Sequence, residues 1–188
     1  MIVGRLPDVP LDADLPISAS LISQGLEHYQ AVARWIATLP FGRNTNPLDW
    51  RLVVSEKRGT SSTKHAFLAE LARELALPIN LYFGIYLMDG KNTPGVGHTL
   101  ESNSLTAIPE AHCFLRYGRW NIDVTRSANA EPILQFFEEQ QITPDQIGDY
   151  KRTVHRNFLL KWATSQGLSL TKAWAIREAC MAALTNER

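Results

Sequence analysis

The stretch GTSSTKHAFLAEL, residues 59 to 71, sets small hydroxyl residues directly ahead of an apolar helical run. A hydroxyl or thiol there sits at the positive end of the helix dipole, which stabilises negative charge developing on it. Ser61 takes the place of a nucleophile, and Ser62 takes it instead if the helix starts one residue later. The base such a nucleophile needs is in EAHCFLRYGRWNIDVT, residues 110 to 125, the clearest hairpin signal in the chain. With Gly118 and Arg119 as the two central turn residues, Tyr117 faces Trp120 and Phe114 faces Asp123. Alternation then sends Cys113, Leu115, Tyr117, Trp120, Ile122 and Val124 to an apolar face, and His112, Phe114, Arg116, Asn121, Asp123 and Thr125 to the other.

His112 and Asp123 thereby become diagonal cross-strand neighbours, with Cα atoms about 7–8 Å apart, a gap their side chains can close. That is a base with an orienting carboxylate. The plainer reading is two polar residues on a solvated sheet face, and a three-residue turn would shift the register and undo the pairing. Cys113 points into the core, a poor place for a nucleophile.

These side chains need elements to hold them. Thr60 to Thr63 are competent caps for the nucleophile helix, and Phe67, Leu68, Leu71 and Leu75 form its inward stripe. It ends near Leu77, ahead of Pro78. Ile79 to Met88 reads as a buried strand, and residues 89 to 106 as a long loop. Upstream, a helix capped at Ser18 or Ser20 is expected to run to about Thr38, followed by a polar loop (39 to 50) and an extended or strand-like Leu52–Val54. Thr143, Pro144 and Gln146 form a capping box that opens a helical C-terminal third, with stripes at Val154, Phe158, Leu159 and Trp162 and at Leu170, Trp174, Ile176, Met181 and Leu184.

The bulk properties bound the function. The 188 residues suit one domain with a sizeable core. Lysine plus arginine, 19, balances aspartate plus glutamate, 19, so no overall field draws the chain to nucleic acid or an anionic membrane. The longest uncharged apolar stretch, Leu75 to Met88, falls short of the roughly 18 residues a membrane span needs. With no targeting segment evident and only Cys113 and Cys180 as cysteines, the expectation is a cytoplasmic protein with free thiols. His98, His112, Cys113 and Cys180 lack ligand-like spacing, so no metal is expected.

The order of these pieces, GTSSTKHAFLAEL, then INLYFGIYLM (79 to 88), then EAHCFLRYGRWNIDVT, resembles the transglutaminase-like superfamily, whose core is papain-like. The resemblance covers the central third of the chain. It implies an α+β fold: a nucleophile helix on a small antiparallel sheet within a single domain, 1–188, with a core of about 19–128 and a helical C-terminal extension of about 129–188. It implies a Ser61, His112, Asp123 triad acting on amide or peptide carbonyls by acyl transfer or hydrolysis, with no cofactor. The substrate would be a peptide, a protein or a small amide. The departure is the serine, since the superfamily's nucleophile is cysteine, carried in a Gly-Thr-Cys-Ser stretch before Lys-His in the bacterial members this chain resembles.

The same resemblance draws attention to Arg43, Asn44 and Trp50 in the preceding loop, where related enzymes find a side-chain donor for the oxyanion hole. Arg43 is also suited to anchoring a substrate carboxylate bidentately. His65, one turn beyond Ser61, either hydrogen-bonds near the nucleophile or packs the helix. Two rival readings stand beside the enzyme. One is a pseudoenzyme that uses the cleft to bind a peptide or partner protein; the other is a helical interaction protein built on KRTVHRNFLLKW, residues 151 to 162.

Overall fold

The computed structural model describes residues 2–127 and 129–186. The chain is mixed α+β with a small four-stranded antiparallel sheet, and it divides into two compact units, each assembled from separated stretches. The first takes the chain up to Tyr82, Cys113–Thr125 and Gln141–Ile147; the second takes Phe83–His112, Arg126–Gln140 and the chain from Gly148 onward.

In the first unit the expected long N-terminal helix is two helices, α1 (Pro16–Ile22) and α2 (Tyr29–Thr38). The apolar spacing continues through the break, but Gly25 turns left-handed at φ +81°, which stops a helix at little steric cost. Residues 9 to 11 then bond into the gap, through Leu11 N–H to Glu27 O (2.8 Å) and Tyr29 N–H to Val9 O (2.9 Å). Neither Ser18 nor Ser20 is the cap. Proline opens α1 at its first turn, where its missing N–H costs nothing. Glu74, distant in sequence, accepts from Ile17 N (2.9 Å), Ser18 N (2.8 Å) and Ser18 Oγ (2.8 Å). A carboxylate at a helix N-terminus meets both the open N–H groups and the dipole.

Leu52–Glu56 is a short helix, α3, rather than extended chain. Asp49 begins it, accepting Arg51 N–H on Oδ1 (3.0 Å), the local side-chain bond by which aspartate turns a chain. Helix α4 (Ser61–Glu74) has Thr60 as N-cap and a reciprocal capping box with Thr63. All of α4 is buried except Glu70, Arg73 and Glu74, so it is covered far more widely than its apolar stripe indicates. Tyr29 Oη of α2 donates to Leu68 O (3.1 Å) across the core. Gly59, just ahead of α4, is demanded by closeness: a Cβ there would lie 2.8 Å from Thr63 Oγ1 and 2.9 Å from Lys64 Cγ.

Strand β1 covers Ile79–Met88, as its composition predicts. β2 (Ile108–Tyr117) and β3 (Trp120–Ile122) pair antiparallel with Tyr117 opposite Trp120 and Arg116 opposite Asn121. The two-residue turn at Gly118 and Arg119 is therefore the observed one, with Gly118 at φ +54°. β4 (Phe137–Gln141) joins the sheet in the order β3-β2-β1-β4. Its sequence, FEEQQ, has no apolar alternation, so the sheet edge it forms was silent to pattern reading.

In the second unit, the expected loop 89 to 106 contains a helix, α5 (Gly97–Glu101). Thr143 N–H donates to Gln146 Oε1 (2.8 Å), as a capping box should, but it opens only a 3-10 turn in the first unit, Pro144–Ile147. After Gly148 come α6 (Asp149–Ser165) and α7 (Leu170–Asn186). Tyr86, Met88, Leu100, Ile108, Leu159, Ile176 and Cys180 form the core of this unit. Phe136 covers Gly84, where an added Cβ would come within 2.7 Å of the ring; the strand glycine marks a close approach.

A buried ion pair ties β2 to α7: Arg177 donates to both carboxylate oxygens of Glu110 at 2.6 Å. Burial pushes the Glu110 carboxyl up, and the charge and hydrogen bonds of Arg177 override it, holding the group at about 2. Lys151 and His155, from the stretch that suggested an interaction helix, are buried rather than displayed. Among the described residues no helix is long and apolar enough to cross a membrane.

Candidate active site

Ser61 is the first residue of α4 and is 8 % exposed. Its Oγ accepts the backbone N–H of Cys113 at 3.5 Å, a long bond that aims a fixed donor at the atom proposed to react. Ser62, beside it, is also buried, and the Cys113 thiol donates to its Oγ at 3.7 Å. Cys113 is itself fully buried, in keeping with the inward face that strand alternation assigned it.

Three hydroxyl or amide groups lock the entry to α4. Thr63 Oγ1 accepts Thr60 N–H (3.0 Å) and donates to Asn44 Oδ1 (3.0 Å). Asn44 Nδ2 in turn donates to Glu56 Oε2 (3.1 Å) and Arg58 O (3.0 Å). Thr45 adds its N–H and hydroxyl to the Glu56 carboxylate. These bonds, led by the Thr45 hydroxyl, hold Glu56 below the usual carboxylate range. Asn44, which the resemblance marks as a substrate contact, is buried and bonded to protein through both its amide nitrogen and its oxygen.

Trp50 is also buried and packs 6.3 Å from Phe67 of α4, with the Arg51 guanidinium 4.4 Å above its ring. Its Nε1 is, among the described residues, the buried side-chain nitrogen with no hydrogen-bond partner. Arg43 is exposed. His98 lies exposed in α5.

His65 is fully buried one turn along α4. Its Nδ1 lies 2.8 Å from Ser61 O, and its Nε2 accepts Val124 N–H at 3.0 Å and stands 3.6 Å from Asp123 Oδ1. Asp123 folds back on its own chain, Oδ1 accepting Thr125 N–H (2.9 Å) and Thr125 Oγ1 (2.8 Å). The structure thus links Ser61 through His65 to Val124, with Asp123 standing 3.6 Å from the same ring, while Asn44 belongs to a separate set of bonds through Thr63, Glu56 and Arg58.

His112 belongs to the second unit, immediately before Cys113 in the chain. It is 8 % exposed, with its ring edge-on to Tyr86 at 5.8 Å. It therefore does not lie on a solvated sheet face. Two features escaped sequence reading: the Cys113 N–H at Ser61 Oγ and the link from His65 to Val124. The i, i+4 spacing signals only the contact of His65 with Ser61 O; nothing local signals its partner Val124, 59 residues away. No family model, no curated protein and no solved structure matches the chain.

Proposed function

We propose that this protein is transglutaminase-like, built for acyl transfer from or hydrolysis of amide or peptide carbonyls, with Ser61, His112 and Asp123 in the triad positions and activity reduced or lost. The observation that carries the reading is the Ser61 hydroxyl at the start of a buried fourteen-residue helix, with the Cys113 N–H directed at its oxygen. In an active cycle His112 would take the hydroxyl proton as Oγ attacks the carbonyl carbon. It would then return that proton to the leaving amine, giving an ester on Ser61 that water or a second amine resolves. Asp123 would orient the imidazole.

Serine weakens this chemistry. A cysteine at a helix N-terminus beside a protonated histidine ionises, its pKa falling from about 8.5 to as low as ~3.5. The helix dipole contributes at most about 2 kcal/mol, or roughly 1.5 pKa units, far too little to ionise a resting hydroxyl. The decisive variant is Ser61→Cys, whose new thiol should alkylate with iodoacetamide at neutral pH faster than an ordinary exposed cysteine, mapped by peptide mass. A folded variant whose new thiol is inert overturns the assignment.

The second reading is a pseudoenzyme that binds a peptide or protein. It is favoured by the hydroxyls of Ser61 and Ser62 both being engaged by Cys113. Ligand affinity that persists with no turnover of any small amide would single it out. In both readings Arg43 is the proposed anchor for a ligand carboxylate.

A further inference from the structure

The tautomer of His65 can be read from its neighbours. A backbone N–H can only donate, so the 3.0 Å contact from Val124 N makes Nε2 an acceptor, without a proton. Nδ1 then carries the proton and donates it to Ser61 O at 2.8 Å. The ring is fully buried, and each nitrogen is spent on a backbone group. This leaves no proton on Nε2 to give to Asp123 Oδ1, which approaches it at 3.6 Å, so the imidazole holds the Asp123–Val124 backbone rather than donating to the carboxylate.

One rigid ring therefore joins the backbone of the proposed nucleophile to the backbone beside the proposed orienter, across a sequence separation of 59 residues from His65 to Val124. We propose that His65 is a positioning residue, a neutral clip that fixes the Ser61 backbone relative to Asp123 and is not itself the imidazole that the carboxylate orients. This rests on the acyl-transfer reading of the site. A neutral ring suits such a clip, because a protonated Nε2 would lose the Val124 bond and compete for Asp123.

Two measurements test it. In the wild-type protein, imidazole ¹⁵N shifts should show His65 protonated on Nδ1 and bare on Nε2 at neutral pH; the opposite tautomer, or the imidazolium, overturns the clip whatever the activity. In the Ser61→Cys background, His65→Leu should slow alkylation of the new thiol at pH 7 by about tenfold or more, since small displacements at a reacting centre cost that much. It should also shift the pH profile of alkylation upward.

His65→Gln, whose carbonyl can still accept from Val124 N, should recover most of the rate where His65→Leu does not; rescue of this kind is not expected of mere space-filling. An unchanged rate and profile in a folded His65→Leu protein overturns the positioning role alone. A parent Ser61→Cys thiol that is inert overturns the acyl-transfer reading, and the catalytic meaning of the clip with it, while the ¹⁵N shifts still decide whether the clip exists.

Discussion

At the scale of single residues, the entry to α4 is held by linked hydrogen bonds among Asn44, Thr63, Glu56 and Arg58. Asn44 is the hub, joining Thr63, Glu56 and the Arg58 carbonyl. Asn44→Ala removes it and leaves the buried Thr63 hydroxyl short of a partner, which costs about 1–3 kcal/mol. Urea unfolding should show that loss with an unchanged m-value. Gly59→Ala acts through space instead: the new methyl meets Thr63 and Lys64 at distances real Cβ atoms do not tolerate. It should lower Tm and, in the Ser61→Cys background, slow alkylation. Arg43→Ala tests the exposed loop, and unchanged affinity for a carboxylate-bearing peptide would retire Arg43 as an anchor. The start of α4 at Ser61 was legible from sequence because capping residues before an apolar run are a local signal. The contacts around it were not, since Cys113 meets the Ser61 hydroxyl, Val124 meets His65, and Asn44 meets Thr63 only through the fold.

At the scale of elements, strong local codes were readable. The capping residues of α4, the β-branched and aromatic run of β1 and the Gly118-Arg119 turn each announce themselves within a few residues. The break between α1 and α2 was hidden because the apolar spacing runs across Gly25. The strand β4 was hidden because an edge strand of FEEQQ needs a neighbour to define it. α1 depends on another element in the same way, being capped by Glu74 from α4. Glu74→Ala should destabilise by about 1.5–3 kcal/mol, the worth of hydrogen bonds to a charged group. Hydrogen exchange should rise first at Ile17 and Ser18.

In the second unit, Arg177→Leu would leave Glu110 buried without its charge partner and should cost about 3–5 kcal/mol. The double replacement Glu110→Leu with Arg177→Leu should cost less, because no uncompensated charge remains.

At the scale of the whole molecule, acid sensitivity follows from two groups of the second unit. His155 is pushed below its ordinary value chiefly by burial, so its unfolded form binds protons first. Its contribution is present in full above about 6.5 and is lost as pH falls through that region. Glu110 is held at about 2 against an ordinary 4.5, so its contribution is present above 4.5 and lost between there and about 2. Unfolding free energy should therefore decline in two stages on acidification, and Glu110→Gln should remove the lower stage while enlarging the upper one, because the Glu110 charge otherwise offsets part of the burial that lowers His155. The thiols give a further check. Both are buried, and burial with the Glu110 charge raises Cys180 to about 11. An aromatic disulfide reagent at pH 8 should find neither until urea is added, which leaves a silent background for a thiol introduced at position 61.

The division of the chain into two units has a consequence for its synthesis. Each unit is threaded from three separated stretches, and the first is not complete until Ile147 has been made. A ribosome delivering this chain from its N-terminus thus releases α1 to α4 long before their last contacts exist. Nascent α4, partly covered by α1 to α3, must wait for roughly seventy more residues before its remaining partners exist, which makes it a segment open to a chaperone in the interval.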